Sequence, residues 1–118
     1  MSGFTITASD DIERSGNWLL VRRTLGLAAF GLGMVDIEPG DSIPEHDETR
    51  RDQEEVFLAL KGDATIVIGG EDHALPEGAF ARLDPDQTRT VTNKGDKTIR
   101  VLIASAPRGS GYEPMPWA

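Results

Sequence analysis

The stretch GDSIPEHDETRRDQEEVFLALKG, residues 40–62, decides the fold of this chain. Its second half is a strand candidate, because residues 56–60 are all apolar and both faces of an extended chain would then be apolar. Such a run predicts a strand buried on both sides. Glu55 begins this strand on the same face as Phe57 and Ala59, since side chains alternate along a strand. The sequence therefore places a carboxylate next to the core.

Similar apolar runs recur from residue 18 onward, with turn-forming sequences between them. The turn sequences are EPGD at 38–41, KGD at 61–63, GGED at 69–72, PEG at 76–78, DPDQ at 84–87 and NKGDK at 93–97. Strands separated by turns at this spacing predict an antiparallel barrel or sandwich. Only one short helix is expected, beginning with Ser9 as its N-cap and ending at Gly16 after about two turns.

Length and charge exclude several classes of protein. The 118 residues fit one domain. Twelve Lys and Arg against 20 Asp and Glu give a net charge of −8, and the basic residues are scattered, so nucleic acid and anionic membranes are excluded as partners. The absence of cysteine removes disulfide and thiolate chemistry. The apolar stretch at 27–35 is too short to span a bilayer and the N-terminus lacks a signal pattern, which predicts a cytoplasmic protein.

The segment TRTVTN at 88–93 places an arginine among apolar neighbours. With a period of two, Arg89, Val91 and Asn93 share one face of a strand. Because Val91 indicates that this face points inward, Arg89 would need a partner for its charge.

Two half-motifs resemble those of the cupin superfamily. The matching landmarks, in chain order, are Gly40, His46, Glu55, Gly62, the PEG turn at 76–78, Pro85 and Asn93. The resemblance covers roughly residues 34–105. It implies an all-β, single-domain fold for residues 1–118, the cupin-type double-stranded β-helix or jelly-roll barrel, with an N-terminal arm at 1–17 and a C-terminal tail at 106–118.

The resemblance also implies where a metal would bind. Metal-binding cupins hold one divalent ion with two histidines and a glutamate of the first motif and a histidine of the second. Here His46 and Glu55 are retained, whereas Glu48 stands at the position of the second histidine. Arg89 stands at the position of the last histidine, and a guanidinium has no lone pair to give a cation. The expectation is a metal-free or weakly metal-binding barrel.

Two functions of the pocket remain open, and a third possibility is a structural or interaction protein that pairs through its sheet edges. The first is a module that binds a small polar or anionic molecule in a pocket lined by His46, Glu48, Glu55, Phe57, Arg89 and Val91. Arg89 would either offer its guanidinium to the ligand or form an internal ion pair with Glu55, and the ion pair is preferred. The alternative is a metal-dependent enzyme of the dioxygenase, isomerase or decarboxylase type. In that case His46, Glu48 and Glu55 hold Fe, Mn, Ni or Zn, and no catalytic residue is assigned.

Other polar and aromatic residues have simpler interpretations. His73 follows the GGED turn and is expected to be structural or exposed on an outer hairpin, and an alternative for His46 is a surface-loop histidine. The tail contains three prolines and cannot pair as an interior strand. We expect Trp117 to dock on its own barrel or on a second subunit, and pairing through sheet edges predicts a homodimer.

Overall fold

Nine β-strands form the framework of this structure, a computed structural model that describes residues 3–118. They are β1 (Arg14–Ser15), β2 (Trp18–Leu19), β3 (Gly31–Ile37), β4 (Gln53–Lys61), β5 (Ala64–Ile68), β6 (Glu71–Leu75), β7 (Phe80–Leu83), β8 (Arg89–Thr92) and β9 (Ile99–Pro107). The helices of the described residues are short: one α-helix, α1 (Val21–Leu25), and two 3₁₀ turns, Ser9–Asp11 and Thr49–Arg51. The all-β prediction is confirmed.

The strands form two antiparallel sheets. One sheet has six strands in the order β1-β2-β3-β9-β4-β7, and the other has three in the order β6-β5-β8. The segment before the 3₁₀ turn at 49–51 extends the smaller sheet, because Ser42 bridges to Thr92 and His46 bridges to Arg89. This second bridge places the two halves of the sequence motif side by side.

The core lies between the inner faces of the two sheets. Its fully buried members include Phe57 of β4, Val91 of β8 and Val101 of β9. The prediction that β4 is buried on both faces is wrong at its outer face, where Leu60 is 45% exposed. Among the described residues, the cluster centred on Leu19, Val21 and Met34 packs on β3 and on Leu102 of β9 and includes no residue of β4.

The N-terminal arm differs from its prediction. Ser9 begins only a 3₁₀ turn, and the chain then enters β1, which pairs with β2 and so joins the large sheet. The predicted helix to Gly16 is therefore wrong, because those residues gain backbone hydrogen bonds from a neighbouring strand instead. The true helix, α1, ends at Gly26, whose φ of 69° is the left-handed conformation that glycine adopts readily.

The C-terminal tail leaves the sheet at Pro107 and forms no further strand. Arg108 attaches its start to the loop before β4, since Nη2 donates to Asp52 Oδ1 at 2.6 Å and the backbone N–H donates to the Asp52 carbonyl at 3.0 Å. Trp117 is 85% exposed, so the prediction that it docks on its own barrel is wrong. No helix within residues 3–118 is long and apolar enough to cross a membrane.

Candidate functional site

The backbone brings His46 and Arg89 onto one inward face. The His46 N–H donates to the Arg89 carbonyl at 3.0 Å, and the Arg89 N–H donates to the His46 carbonyl at 2.8 Å. Residues that exchange both bonds across an antiparallel pair point their side chains to the same side. Glu55 enters the same space from the start of β4, where it pairs with Leu83 of β7. Glu48 is fixed by its own N–H, which donates to the Pro85 carbonyl at 2.8 Å.

Three of the predicted residues converge on one point. His46 Nε2 lies 3.4 Å from Glu48 Oε1 and 3.4 Å from Glu55 Oε1. Potential ligand atoms of the three side chains all lie within 4.8 Å of one another. The side chains of His46, Glu48 and Glu55 are 34%, 22% and 8% exposed, so solvent reaches the group from the side of His46 and Glu48. The interpretation of His46 as a simple surface-loop histidine does not account for this convergence.

A backbone carbonyl fixes the orientation of the His46 ring. Nδ1 lies 3.0 Å from the Pro44 carbonyl oxygen. A carbonyl only accepts hydrogen bonds, so Nδ1 carries the N–H and Nε2 bears the lone pair in the neutral ring. Histidines that bind metals usually donate their second N–H to a carbonyl or carboxylate in this way. His46 is therefore oriented to give its Nε2 lone pair to a cation or to hold a proton between two carboxylates.

Arg89 is fully buried beside Glu55. Its Nη2 donates to the Asp84 carbonyl at 2.6 Å, and its Nη1 lies 3.6 Å from Glu55 Oε1. At this separation an ion pair contributes about 4 kcal/mol of attraction in a medium of effective dielectric 20. The distance is too long for a hydrogen bond, and Arg89 Nε, Arg89 Nη1 and Glu55 Oε1 have no such partner. Arg89 thus compensates the charge of Glu55 from within the chain.

The carboxyl group of Glu55 has an unusual environment. Burial is the main cause that raises its pKa above the ordinary value, and the negative charge of Glu48 adds to this rise. His46 and Arg89 act in the opposite direction, because a hydrogen-bond donor or a positive charge beside the carboxylate favours its ionised form. Glu55 is therefore a group for which a nearby cation, whether a proton or a metal, lowers the free energy of the folded protein.

The donor set fits a divalent metal. Ligand atoms about 2.1 Å from a tetrahedral metal lie about 3.4 Å apart, which agrees with both distances from His46 Nε2. Glu55 Oε1 is a buried acceptor without a hydrogen bond, as expected for an oxygen that is free to ligate. One imidazole and two carboxylates suit Mn, Fe or Zn. Arg89 adds no ligand and brings a positive charge close to the same oxygen.

Two residues predicted to line the pocket belong to the core instead of the charged group. Phe57 and Val91 are both 0% exposed, so neither offers surface to a ligand in this structure. The sequence did not indicate the carbonyls of Pro44 and Asp84 as partners, because backbone acceptors leave no residue-type signal. His73, on β6, is exposed and remote from the group, as expected.

Comparison with protein families gives one match. Residues 33–105 match the family model described as a cupin domain. No curated protein sequence matches this chain. The matched range contains both half-motifs in full and runs from within β3 to near the end of β9.

Solved structures share the fold at low sequence identity. A cupin protein from Bacteroides fragilis is 22% identical, with a TM-score of 0.81 over 99% of this chain and 94% of that chain. A sugar phosphate isomerase of the cupin superfamily from Silicibacter pomeroyi is 20% identical, with a TM-score of 0.74 over 86% and 75%. A predicted oxalate decarboxylase from Thermotoga maritima is 19% identical, with a TM-score of 0.71 over 87% and 99%. At these identities the likeness establishes the fold alone.

Proposed function

The chain belongs to the cupin domain family, and from that premise we propose that it binds a divalent metal ion through His46, Glu48 and Glu55. The observation that carries the proposal is the position of His46 Nε2, 3.4 Å from an oxygen of each carboxylate. Three protein ligands leave coordination positions for a small polar or anionic molecule. This favours the second of the two functions that the sequence left open, the metal-dependent site.

Each residue has a distinct role in this proposal. His46 gives the Nε2 lone pair, because the Pro44 carbonyl holds the proton at Nδ1. Glu48 gives a carboxylate oxygen from the solvent side and Glu55 gives one from the core side, as their exposures of 22% and 8% indicate. A metal held here would supply a Lewis acid that polarises a bound oxygen group. Arg89 favours the ionised form of Glu55 from 3.6 Å, against the effect of burial, and does not itself bind the metal.

Arg89 also sets the strength of metal binding. Its fixed positive charge lies 3.6 Å from the Glu55 oxygen that would bind the metal, so cation and guanidinium repel each other. We therefore expect dissociation constants in a range where the metal exchanges readily, which agrees with the expectation of weak binding from the sequence.

Isothermal titration and elemental analysis test the proposal. We expect purified protein to bind about one equivalent of Mn²⁺ or Zn²⁺. His46→Ala or Glu48→Gln should weaken binding at least tenfold, because each removes one of three ligands. Glu45→Gln is the matched control, since Glu45 is an exposed carboxylate of the same loop outside the group. Protein that binds none of Mn²⁺, Fe²⁺, Ni²⁺ and Zn²⁺ in titration would contradict it.

A second candidate is a metal-free site for a small acid. The observation in its favour is that Arg89 Nε and Nη1 are buried without hydrogen-bond partners, which leaves two nitrogens, with three N–H groups, for a carboxylate or phosphate. Arg89 is 0% exposed, so the side chains that cover it would have to move to admit the ligand. Isothermal titration of metal-free protein with small carboxylates and phosphates tests this candidate, which is favoured if one of them binds and none of the metals does.

A further inference from the structure

A second pocket lies on the outer side of the molecule, where β1, β2 and α1 meet the start of β3. Its volume is about 590 Å³. None of His46, Glu48, Glu55 and Arg89 lines it. The side chains that carry charge or an aromatic ring toward it are Glu13, Arg14, Trp18, Arg22 and Arg23.

The pocket is positively charged in an acidic protein. Three arginines and one glutamate line it, and Asp36 pairs with the lining Arg14 at 2.9 Å, which leaves a charge of +1, whereas the whole chain has a net charge of −8. A quarter of the 12 basic residues of the chain is thus gathered at one cavity. Such a concentration of guanidinium groups attracts anions, and their planar donors match carboxylate and phosphate oxygens.

Arg22 and Arg23 keep donors available for a ligand, whereas Arg14 donates to Asp36 at 2.9 Å. Arg22 uses Nη1 for the Leu27 carbonyl at 3.2 Å, which is one of the five N–H groups of a guanidinium. The ion pair of Arg23 with Glu13 is long, 3.6 Å, and its side chains are 64% and 54% exposed. An exposed pair of this kind contributes little to stability, so an incoming anion can replace Glu13.

The walls of the pocket also suit a flat ring. Trp18 lines the pocket and is 37% exposed, so part of its indole is open to a ligand. Gly31 and Gly33 add no side chains to the space. Val21 is buried and anchors α1, which fixes the backbone of the two arginines that follow it.

We propose that this pocket binds a small anion carried on an aromatic ring, such as an aryl phosphate or aryl carboxylate. The ring stacks near Trp18, and Arg22 and Arg23 hold the anionic group. The ligand is distinct from any molecule bound at His46, because no residue is shared between the two sites.

Trp18 fluorescence reports on binding directly. The chain has two tryptophans, so Trp117→Phe leaves Trp18 as the single indole. In this background we expect phenyl phosphate to quench the emission saturably, and calorimetry to give a dissociation constant at least tenfold below those of inorganic phosphate and phenol. The two comparison probes separate the contributions of the ring and the anionic group.

Charge-matched variants decide the outcome. Arg22→Ala with Arg23→Ala should weaken phenyl phosphate binding at least tenfold, whereas Arg50→Ala with Arg51→Ala, which removes the same charge from exposed positions outside the pocket, should leave it unchanged. His46→Ala should also leave it unchanged. Equal weakening by both arginine pairs, or no saturable quenching in the single-tryptophan protein, overturns the proposal.

Discussion

Arg89 is the largest fully buried side chain among the described residues of this domain. It is wholly buried, and the carboxylate that offsets its charge is Glu55. Period two in TRTVTN correctly predicted that Arg89, Val91 and Asn93 face inward, and all three are buried. The sequence also suggested Glu55 as the partner, because Glu55 and Arg89 stand at metal-ligand positions of the first and the second half-motif.

Removal of Arg89 should be strongly destabilising. Arg89→Met keeps much of the side-chain volume but leaves Glu55 as a buried carboxylate without its partner. Removing one member of a buried ion pair lowers the free energy of unfolding by about 3–5 kcal/mol. Urea denaturation at neutral pH measures the change.

The double variant Arg89→Met with Glu55→Gln is the control for this effect. Because it removes both charges, we expect it to regain a large part of the lost stability. If the two single variants and the double variant lose stability additively, the ion pair has no role in the fold.

The hydrogen bonds of Asn93 show which features of a single residue the sequence does not predict. Its position was predicted, but its partners were not: Nδ2 donates to the carbonyls of Ile37 at 2.8 Å and Lys97 at 2.7 Å. These acceptors are backbone atoms, which any residue type supplies. The same holds for Pro44 at the candidate metal site, so the sequence indicated the side chains but not what orients them.

At the scale of elements, Asp36 joins three strands of the large sheet. It lies on β3 and accepts hydrogen bonds from Arg100 of β9 at 2.7 and 3.0 Å and from Arg14 of β1 at 2.9 Å. The bond from Arg100 is the largest cause that lowers the pKa of Asp36, against the opposing effect of burial. This network attaches the N-terminal hairpin, which the sequence described only as an arm.

Asp36→Asn should therefore lower stability in a pH-dependent way. At neutral pH we expect a loss of about 2 kcal/mol, the contribution of a hydrogen bond to a charged group. Because the pKa of Asp36 is lower in the folded state, its contribution is present above the unfolded pKa of about 3.9 and is lost as pH falls through the folded pKa. Urea denaturation of the wild-type protein and of Asp36→Asn from pH 7 to pH 3 should show that the difference between their free energies of unfolding becomes smaller.

The exposed ion pair of Asp72 with Lys94 supplies the control for Asp36. Its side chains are 52% and 59% exposed, so Asp72→Asn should change stability by less than about 1 kcal/mol at every pH. A loss for Asp36→Asn that stays constant down to pH 3 would show that its charge is not what matters.

The positions of the strands were easier to predict than the segments that pack against them. Turn sequences placed the strands, because glycine, proline and aspartate mark reversals locally. The uncovered outer face of β4 and the strand at residues 14–15 depend on which distant segment lies alongside. A local pattern contains no information about that choice.

At the scale of the whole molecule, an apolar sheet edge remains uncovered. β7 is the last strand of the six-stranded sheet, and Phe80 in it is 70% exposed. Leu60 of the neighbouring strand is 45% exposed. Edges with exposed large apolar side chains are sites where a second chain can pair, and the predicted homodimer would place this edge in its interface.

We expect light scattering to give the mass of a dimer at micromolar concentrations, and Phe80→Asp to shift it to a monomer, because the new charge would be buried at the interface. Phe4→Asp is the matched control, since Phe4 is 68% exposed but lies outside the sheets. A monomeric wild-type protein, or a dimer that persists in Phe80→Asp, would exclude this edge as the interface.

The ion pair between Arg89 and Glu55 finally bears on how the domain is made in the cell. Where buried carboxylates depend on an ion for neutralisation, a newly synthesised chain cannot mature until that ion is supplied. Here the positive charge is part of the polypeptide itself and lies 3.6 Å from Glu55 Oε1. Folding of this protein should therefore proceed in metal-starved cells, and if the proposed metal binds, it binds after folding and reversibly.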